Sequence, residues 1–356
     1  MCQTFYGVTS IDNIFVRLLK HHPVVAFIGI AYLWSSVIWI SCLLIFNVQG
    51  ANQLFSVSLG AFGPAIAGVV VVRALNRETA RLSIIGFLVG ALAAIASCAT
   101  LVLGLTGLKS ELYVTAKQPT LSTYFLMVPI VTLSGFIYSH SLAKSNWSRA
   151  WFFKMLPDRQ TLALSLGVLC FLPTILVCSN WMANALGMEV AQPNYLKVSA
   201  AVWMPAMFFK LFTVFFMTGG NEEHGWRGVL LPLVQNKIRP IYAALFIGMI
   251  WELWHAPLVF SGIYGDGNPI LTILNRMITT VLLSYLLTFI FNVSSGSIFL
   301  CVLMHSCQNT QVNLFFGSGF ANAAVLVVVI ALVVLSRMWR KESGYHPAFP
   351  QPKDAG

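Results

Sequence analysis

Charge is what this chain has least of. Only 9% of its 356 residues are charged and 58% are hydrophobic, whereas soluble globular chains carry about 25% charge. Too little polar surface exists to cover a water-soluble domain, so that class is excluded. Cysteine is also sparse, and six of the seven (Cys42, Cys98, Cys170, Cys178, Cys301 and Cys307) fall inside apolar runs, where a thiol behaves as a small hydrophobe. There is no CxxC pair and no disulfide framework. The H-E-x-x-H helix of zinc proteases is missing as well. Period-2 alternation is absent, which removes a β-barrel as the way across lipid. No small-x-small cleavage pattern follows the first apolar run, so that run, preceded by Arg17, Lys20, His21 and His22, is expected to stay as a helix rather than leave as a signal peptide.

What the chain does have is one apolar run after another. A bilayer core about 30 Å thick takes about 20 apolar residues per helix. Runs of that size are expected to span at 24–46, 54–73, 83–105, 122–143, 161–181, 198–217, 241–260, 270–291, 296–316 and 321–337. Because lipid leaves backbone groups no partners outside a helix, the fold class is all-α, a polytopic transmembrane helical bundle of about ten spans. Gly86 and Gly90, and Gly60, Gly63 and Gly68, form small-residue rows that suit close helix packing. The Pro-rich tail holding Pro347, Pro350 and Pro352 is expected to be disordered.

The formal charge of +10 raises nucleic acid as a partner, and the placement of the charges answers it. With the N-terminus inside, Arg17, Lys20, Arg73, Arg77, Arg81, Lys144, Arg149, Lys154, Arg159, Lys237, Arg239, Arg337, Arg340, Lys341 and Lys353 all fall on the cytoplasmic side, and only Lys109, Lys117 and Lys197 outside. That is the positive-inside rule, so the basic surplus reports topology and contact with the lipid bilayer, with no nucleic acid. The protein is expected to be an integral, multi-pass membrane protein with both N- and C-termini cytoplasmic. This count treats 198–235, roughly 55 Å if helical throughout, as a single crossing that is tilted or broken near Thr218, Gly219 and Gly220.

Three of the eleven acidic residues, Glu222, Glu223 and Glu252, lie in apolar surroundings, where an ionisable group is costly and is a functional candidate by default. The same region holds His224, Arg227, His255, His305 and Asn309. Glu222 and His255 stand equally far along the chain from the turn Asn236–Pro240, so antiparallel helices should set them at one depth, and tilt could bring His305 to a similar level. Glu223 and Arg227, Trp251 and His255, and His305 and Asn309 are i, i+4 pairs, each on one helix face. A buried carboxylate beside an imidazole can deprotonate a water. A second imidazole and an amide can stabilise the oxyanion that follows. Amide hydrolysis is a reaction class that this set of groups permits.

Glu222-Glu223-His224-Gly225-Trp226-Arg227 has the form E-E-x-x-x-R, Trp251–His255 the form [FW]-x-x-x-H, and His305–Asn309 the form H-x-x-x-[ND]. In this order they resemble the CPBP intramembrane proteases, the family of the type II CAAX prenyl endopeptidases and of bacteriocin-processing and self-immunity proteins. The resemblance covers roughly 200–316 and implies an intramembrane endopeptidase acting on a membrane-associated protein or peptide. It implies Glu222 as general base assisted by His255, Glu223 as the ion-pair partner of Arg227, and His305 with Asn309 as oxyanion donors. The chain then divides into N-terminal transmembrane helices (1–197), a CPBP-like catalytic core (198–316), and a final transmembrane helix with a cytoplasmic tail (317–356).

Other readings stay beside this one. The buried polar groups could be interhelical hydrogen bonds alone, and Glu223 with Arg227 a lock between turns of one helix. Trp226, Trp251 and Trp254 read as pocket wall or interfacial anchors, and His224 as a candidate third imidazole. Glu252 either orients His255, three residues on, or pairs with a cation such as Arg276. Lys210, His140 and Arg276 have no partner visible in sequence. No cofactor is expected, although Glu222, Glu223, His255 and His305 are ligand types that zinc accepts. A secondary transporter would show repeat symmetry, and none is visible, direct or inverted; a non-catalytic immunity or scaffold protein would keep the same pocket.

Overall fold

A computed structural model describes residues 19–48, 51–75, 83–102, 121–141, 159–188, 199–265, 267–315 and 320–344. Lys109, Lys117, Lys144, Arg149, Lys154, Lys197 and the tail prolines lie outside these residues. Among the described residues there is no strand, and the chain is an all-helical membrane protein. Its helices are α1 (Pro23–Trp39), running on as a π-helical turn (Ile40–Ile45), α2 (Ala51–Gly60), α3 (Gly63–Leu75), α4 (Ile84–Val102), α5 (Leu121–Ser141) and α6 (Arg159–Ala185). They continue with α7 (Ala200–Met217), α8 (Gly219–Gly225), a second π-helical turn (Trp226–Leu230), α9 (Leu231–Gln235), α10 (Pro240–Trp254), α11 (Ala256–Phe260), α12 (Pro269–Val293), α13 (Ile298–Phe315) and α14 (Phe320–Leu335).

Helix occupies each of the ten expected spans. Six segments are long and apolar enough to cross a membrane: Pro23–Ile45, Asn52–Leu75, Ile84–Val102, Thr161–Ala185, Pro240–Phe260 and Pro269–Val293. Phe125–His140 and Ala323–Leu335 are apolar but shorter. The other two expected spans correspond to α7 and α13, which carry polar side chains inward, among them Lys210, His305, Ser306 and Gln311. Large apolar side chains such as Ile84, Phe125 and Trp181 face outward, as lipid-facing surface requires.

The expected span 54–73 is not one straight helix. Pro64 has no N–H for the carbonyl of Gly60, four residues earlier, and Ser35 Oγ donates to that oxygen instead, at 2.7 Å. Trp34 Nε1 takes the neighbouring carbonyl of Leu59 at 3.0 Å. The interruption between α2 and α3 is thus sealed by α1, and its glycines allow the approach: a Cβ on Gly63 would meet Ser35 Oγ at 2.2 Å and Ala31 O at 2.7 Å. Gly90 serves likewise between α4 and α5, where a Cβ would meet Ser134 O at 2.5 Å.

The chain also breaks between α7 and α8. Thr218 leaves helical geometry at φ −120° and ψ −118°, and every residue from 219 to 235 is buried. This segment is an inner axis, with α8 packed against α3, α7 and α13. At one end of the bundle Ile241 N–H bonds Met338 O at 3.1 Å. That contact sets the basic turn of Lys237 and Arg239 beside Arg337, Arg340 and Lys341.

Candidate active site

Two adjacent glutamates on α8 point about 100° apart, as successive helical residues must, and each reaches a different helix. Glu222 faces α10, where Trp251 Nε1 donates to its Oε2 at 2.8 Å. Glu223 faces α13, where its Oε1 accepts from His305 Nδ1 at 2.8 Å. Arg227, one turn on, closes on Glu223 with Nη1 at 3.2 Å from Oε2 and 3.3 Å from Oε1. Neither side chain of that ion pair has any exposure. The guanidinium also lies over the Trp251 ring, Cζ 4.6 Å from its centroid, a desolvated cation–π contact.

His255 caps α10. Its Nδ1 is 3.0 Å from the carbonyl oxygen of Trp251, which can only accept, so Nδ1 carries the proton and a neutral ring keeps its lone pair on Nε2. The ring packs edge-on to Trp254 at 4.8 Å and Tyr264 at 6.0 Å. His305 sets its Nδ1 against the Glu223 carboxylate and turns its Nε2 away from it. That Nε2 and Asn309 Nδ2 meet beside Gly219: an ideal Cβ there would lie 2.5 Å from the first and 2.7 Å from the second. His305 is buried and Asn309 is exposed, so the pair stands at the edge of the buried interior.

Trp251 is the residue that sequence reasoning undervalued. Expected as wall or anchor, it holds Glu222 through its indole N–H, His255 through its carbonyl, Arg227 through its ring face, and His305 edge-on at 5.0 Å. Its i, i+4 relation to His255 was the available signal; the bond to Glu222 crosses between helices and leaves no trace in spacing. The choice left open for Glu252 falls to Arg276, with Nε at 2.8 Å and Nη2 at 3.2 Å, and Thr280 adds a third donor at 2.7 Å. His255 Nδ1 is 4.0 Å from Glu252, beyond a hydrogen bond. Arg276 stacks on Tyr264 at 3.5 Å, and burial pushes the Tyr264 phenol, in the turn after α11, up to about 12. His140 has a partner too, Arg73 Nε at 2.9 Å. His224 is buried against Tyr138, ring centroids 5.5 Å apart, and Lys210 is buried on α7.

Residues 203–311 match the family model described as type II CAAX prenyl endopeptidase Rce1-like. Glu222, Glu223, Arg227, His255, His305 and Asn309 all fall within that match. A curated relative, CAAX prenyl protease 2 of Methanococcus maripaludis, is 24% identical over 235 residues, 64% of this chain and 83% of that one. The motifs, the membrane helices and these likenesses together make the chain similar, over residues 203–311, to the type II CAAX prenyl endopeptidases among the CPBP intramembrane proteases.

Proposed function

We propose that this protein is an intramembrane endopeptidase that hydrolyses a peptide bond of a membrane-associated protein or peptide by a glutamate- and histidine-activated water. The observation that carries the reading is the arrangement around Trp251, whose indole N–H fixes the Glu222 carboxylate while its carbonyl fixes the tautomer of His255. Glu222 takes a proton from water that His255 Nε2 positions, and the resulting hydroxide adds to the scissile carbonyl carbon. His305 Nε2 and Asn309 Nδ2 receive the oxyanion, with His305 protonated while it donates. Collapse breaks the C–N bond, and the proton held by Glu222 passes to the leaving amine.

A catalytic zinc on Glu222, Glu223, His255 and His305 does not fit these residues. Glu223 is closed on Arg227 and on His305 Nδ1, and among the described residues no three His, Cys, Asp or Glu side chains are placed to share a metal ion. The relative's name specifies prenylated CAAX proteins, and a membrane-tethered peptide with an isoprenylated C-terminal CAAX segment is accordingly the first substrate to assay. Purified protein in vesicles should release a defined fragment by mass spectrometry, at a rate unchanged by exhaustive chelation. Loss of cleavage on chelation and its return with zinc would overturn the metal-free mechanism; no cleavage of any tethered peptide would favour a non-catalytic membrane protein.

We also place both termini in the cytoplasm. The basic asymmetry supports this, as does the contact that sets Lys237 beside the Arg337 to Lys341 cluster. Single cysteines introduced at Lys237 and Lys341 should both react only with reagents reaching the cytoplasmic face, and labelling of both from outside would reverse the topology.

A further inference from the structure

Three glycines stand in α8, and they are glycines for different reasons. A Cβ on Gly220 would meet the Phe215 carbonyl oxygen at 2.2 Å, and one on Gly225 would meet the Pro64 carbonyl oxygen at 2.0 Å. Both are collisions with backbone, so close packing of α8 on α7 and α3 accounts for them. Gly219 differs. The nearest atoms to its Cβ position are His305 Nε2 at 2.5 Å, Asn309 Nδ2 at 2.7 Å and His305 Cδ2 at 2.8 Å, all side-chain tips. No positive φ demands glycine there either.

The point beside the Gly219 Cα is therefore near hydrogen-bonding distance of two nitrogens on α13 at once. His305 has little freedom to withdraw, since Nδ1 is bound to Glu223 at 2.8 Å and the ring stands edge-on to Trp251. A methyl group on Gly219 would occupy the side of the two nitrogens from which an acceptor must approach. We propose that Gly219 is a positioning residue: its bare Cα forms the floor of the oxyanion pocket and leaves the scissile carbonyl oxygen free to reach His305 and Asn309 as the oxyanion forms. The inference rests on the hydrolytic reading above and adds the wall of the pocket that receives the oxyanion.

The test compares Gly219→Ala, Gly220→Ala and Gly225→Ala in the full-length protein in vesicles, with wild type and Glu222→Gln assayed alongside on the membrane-tethered peptide. Gly220→Ala and Gly225→Ala should lower folded yield. Gly219→Ala should keep more folded yield than either, because its Cβ meets side-chain tips and not backbone, while kcat falls about 100-fold, the scale of a lost oxyanion donor. KM should change by less than about threefold, because the group lost acts in the transition state. Adding Asn309→Ala to Gly219→Ala should cost little more, since both remove one acceptor position. Near wild-type kcat for Gly219→Ala, or a folding defect like that of Gly220→Ala, would overturn the inference. Undiminished cleavage by Glu222→Gln would instead remove the general base and leave the floor of the pocket standing.

Discussion

Glu222→Gln is expected to reduce cleavage by about 10²–10⁴-fold, the contribution of a positioned general base, while the protein folds normally. The substitution keeps the oxygen that accepts from Trp251 Nε1 at 2.8 Å and deletes only the basicity. His255→Ala should cost a similar factor by a different route, because it removes the ring whose Nδ1 is tied to the Trp251 carbonyl at 3.0 Å, leaving Nε2 as the acceptor proposed to position the water. If carboxylate and imidazole serve the same water, the double variant should be little slower than either single one, since groups that act as a unit are strongly non-additive. Rates for the single and double variants, with detergent-extracted yield as the control for folding, check this. Near wild-type cleavage by folded Glu222→Gln would move the weight to a non-catalytic protein. Multiplicative losses in the double variant would separate the two residues into independent roles.

Much of the architecture was legible because lipid imposes one rule throughout: an apolar run of sufficient length must be a helix. The ten runs read from the sequence all contain one. What periodicity could not show was the break at Gly60 to Gly63, because Pro64 alone does not tell whether a neighbouring helix will take the freed carbonyl. Ser35 and Trp34 supply that answer from α1. The break at Thr218 was legible, since two glycines follow it in an otherwise apolar stretch.

Within the site, the spacing within each helix was informative and the pairing between helices was not. Glu223 with Arg227 follows from an i, i+4 relation, but the bond of Glu223 to His305 joins residues 82 positions apart. The Glu252–Arg276 pair lies 24 positions apart on α10 and α12, and sequence offered it only as one choice of two. Trp251 shows the same limit from the other side. Its aromatic character suggested burial, while its N–H, the atom that holds Glu222, mattered only once α8 was set against α10.

Glu223→Gln should damage both stability and activity, and the two losses can be separated. Glu223 is one carboxylate serving two donors: Arg227 at 3.2 Å and His305 Nδ1 at 2.8 Å. Glutamine offers a single acceptor oxygen, so one donor is abandoned, and its amide N–H2 would face a guanidinium or an imidazole N–H. Stranding the buried charge of Arg227 should cost about 3–5 kcal/mol, seen as a lower melting temperature and extracted yield. Combining Glu223→Gln with Arg227→Met removes both charges and should recover most of that stability, because replacing a buried pair as a whole is far cheaper than halving it. Activity should stay low in the double variant, since glutamine can still accept from His305 Nδ1 but no longer sets a negative charge against the ring while Nε2 donates to the oxyanion. Melting temperature and kcat measured on both variants decide the matter. Recovery of both together would reduce Glu223 to a counter-charge for Arg227, whereas recovery of stability alone would assign it the second task of charging the His305 side of the oxyanion pocket.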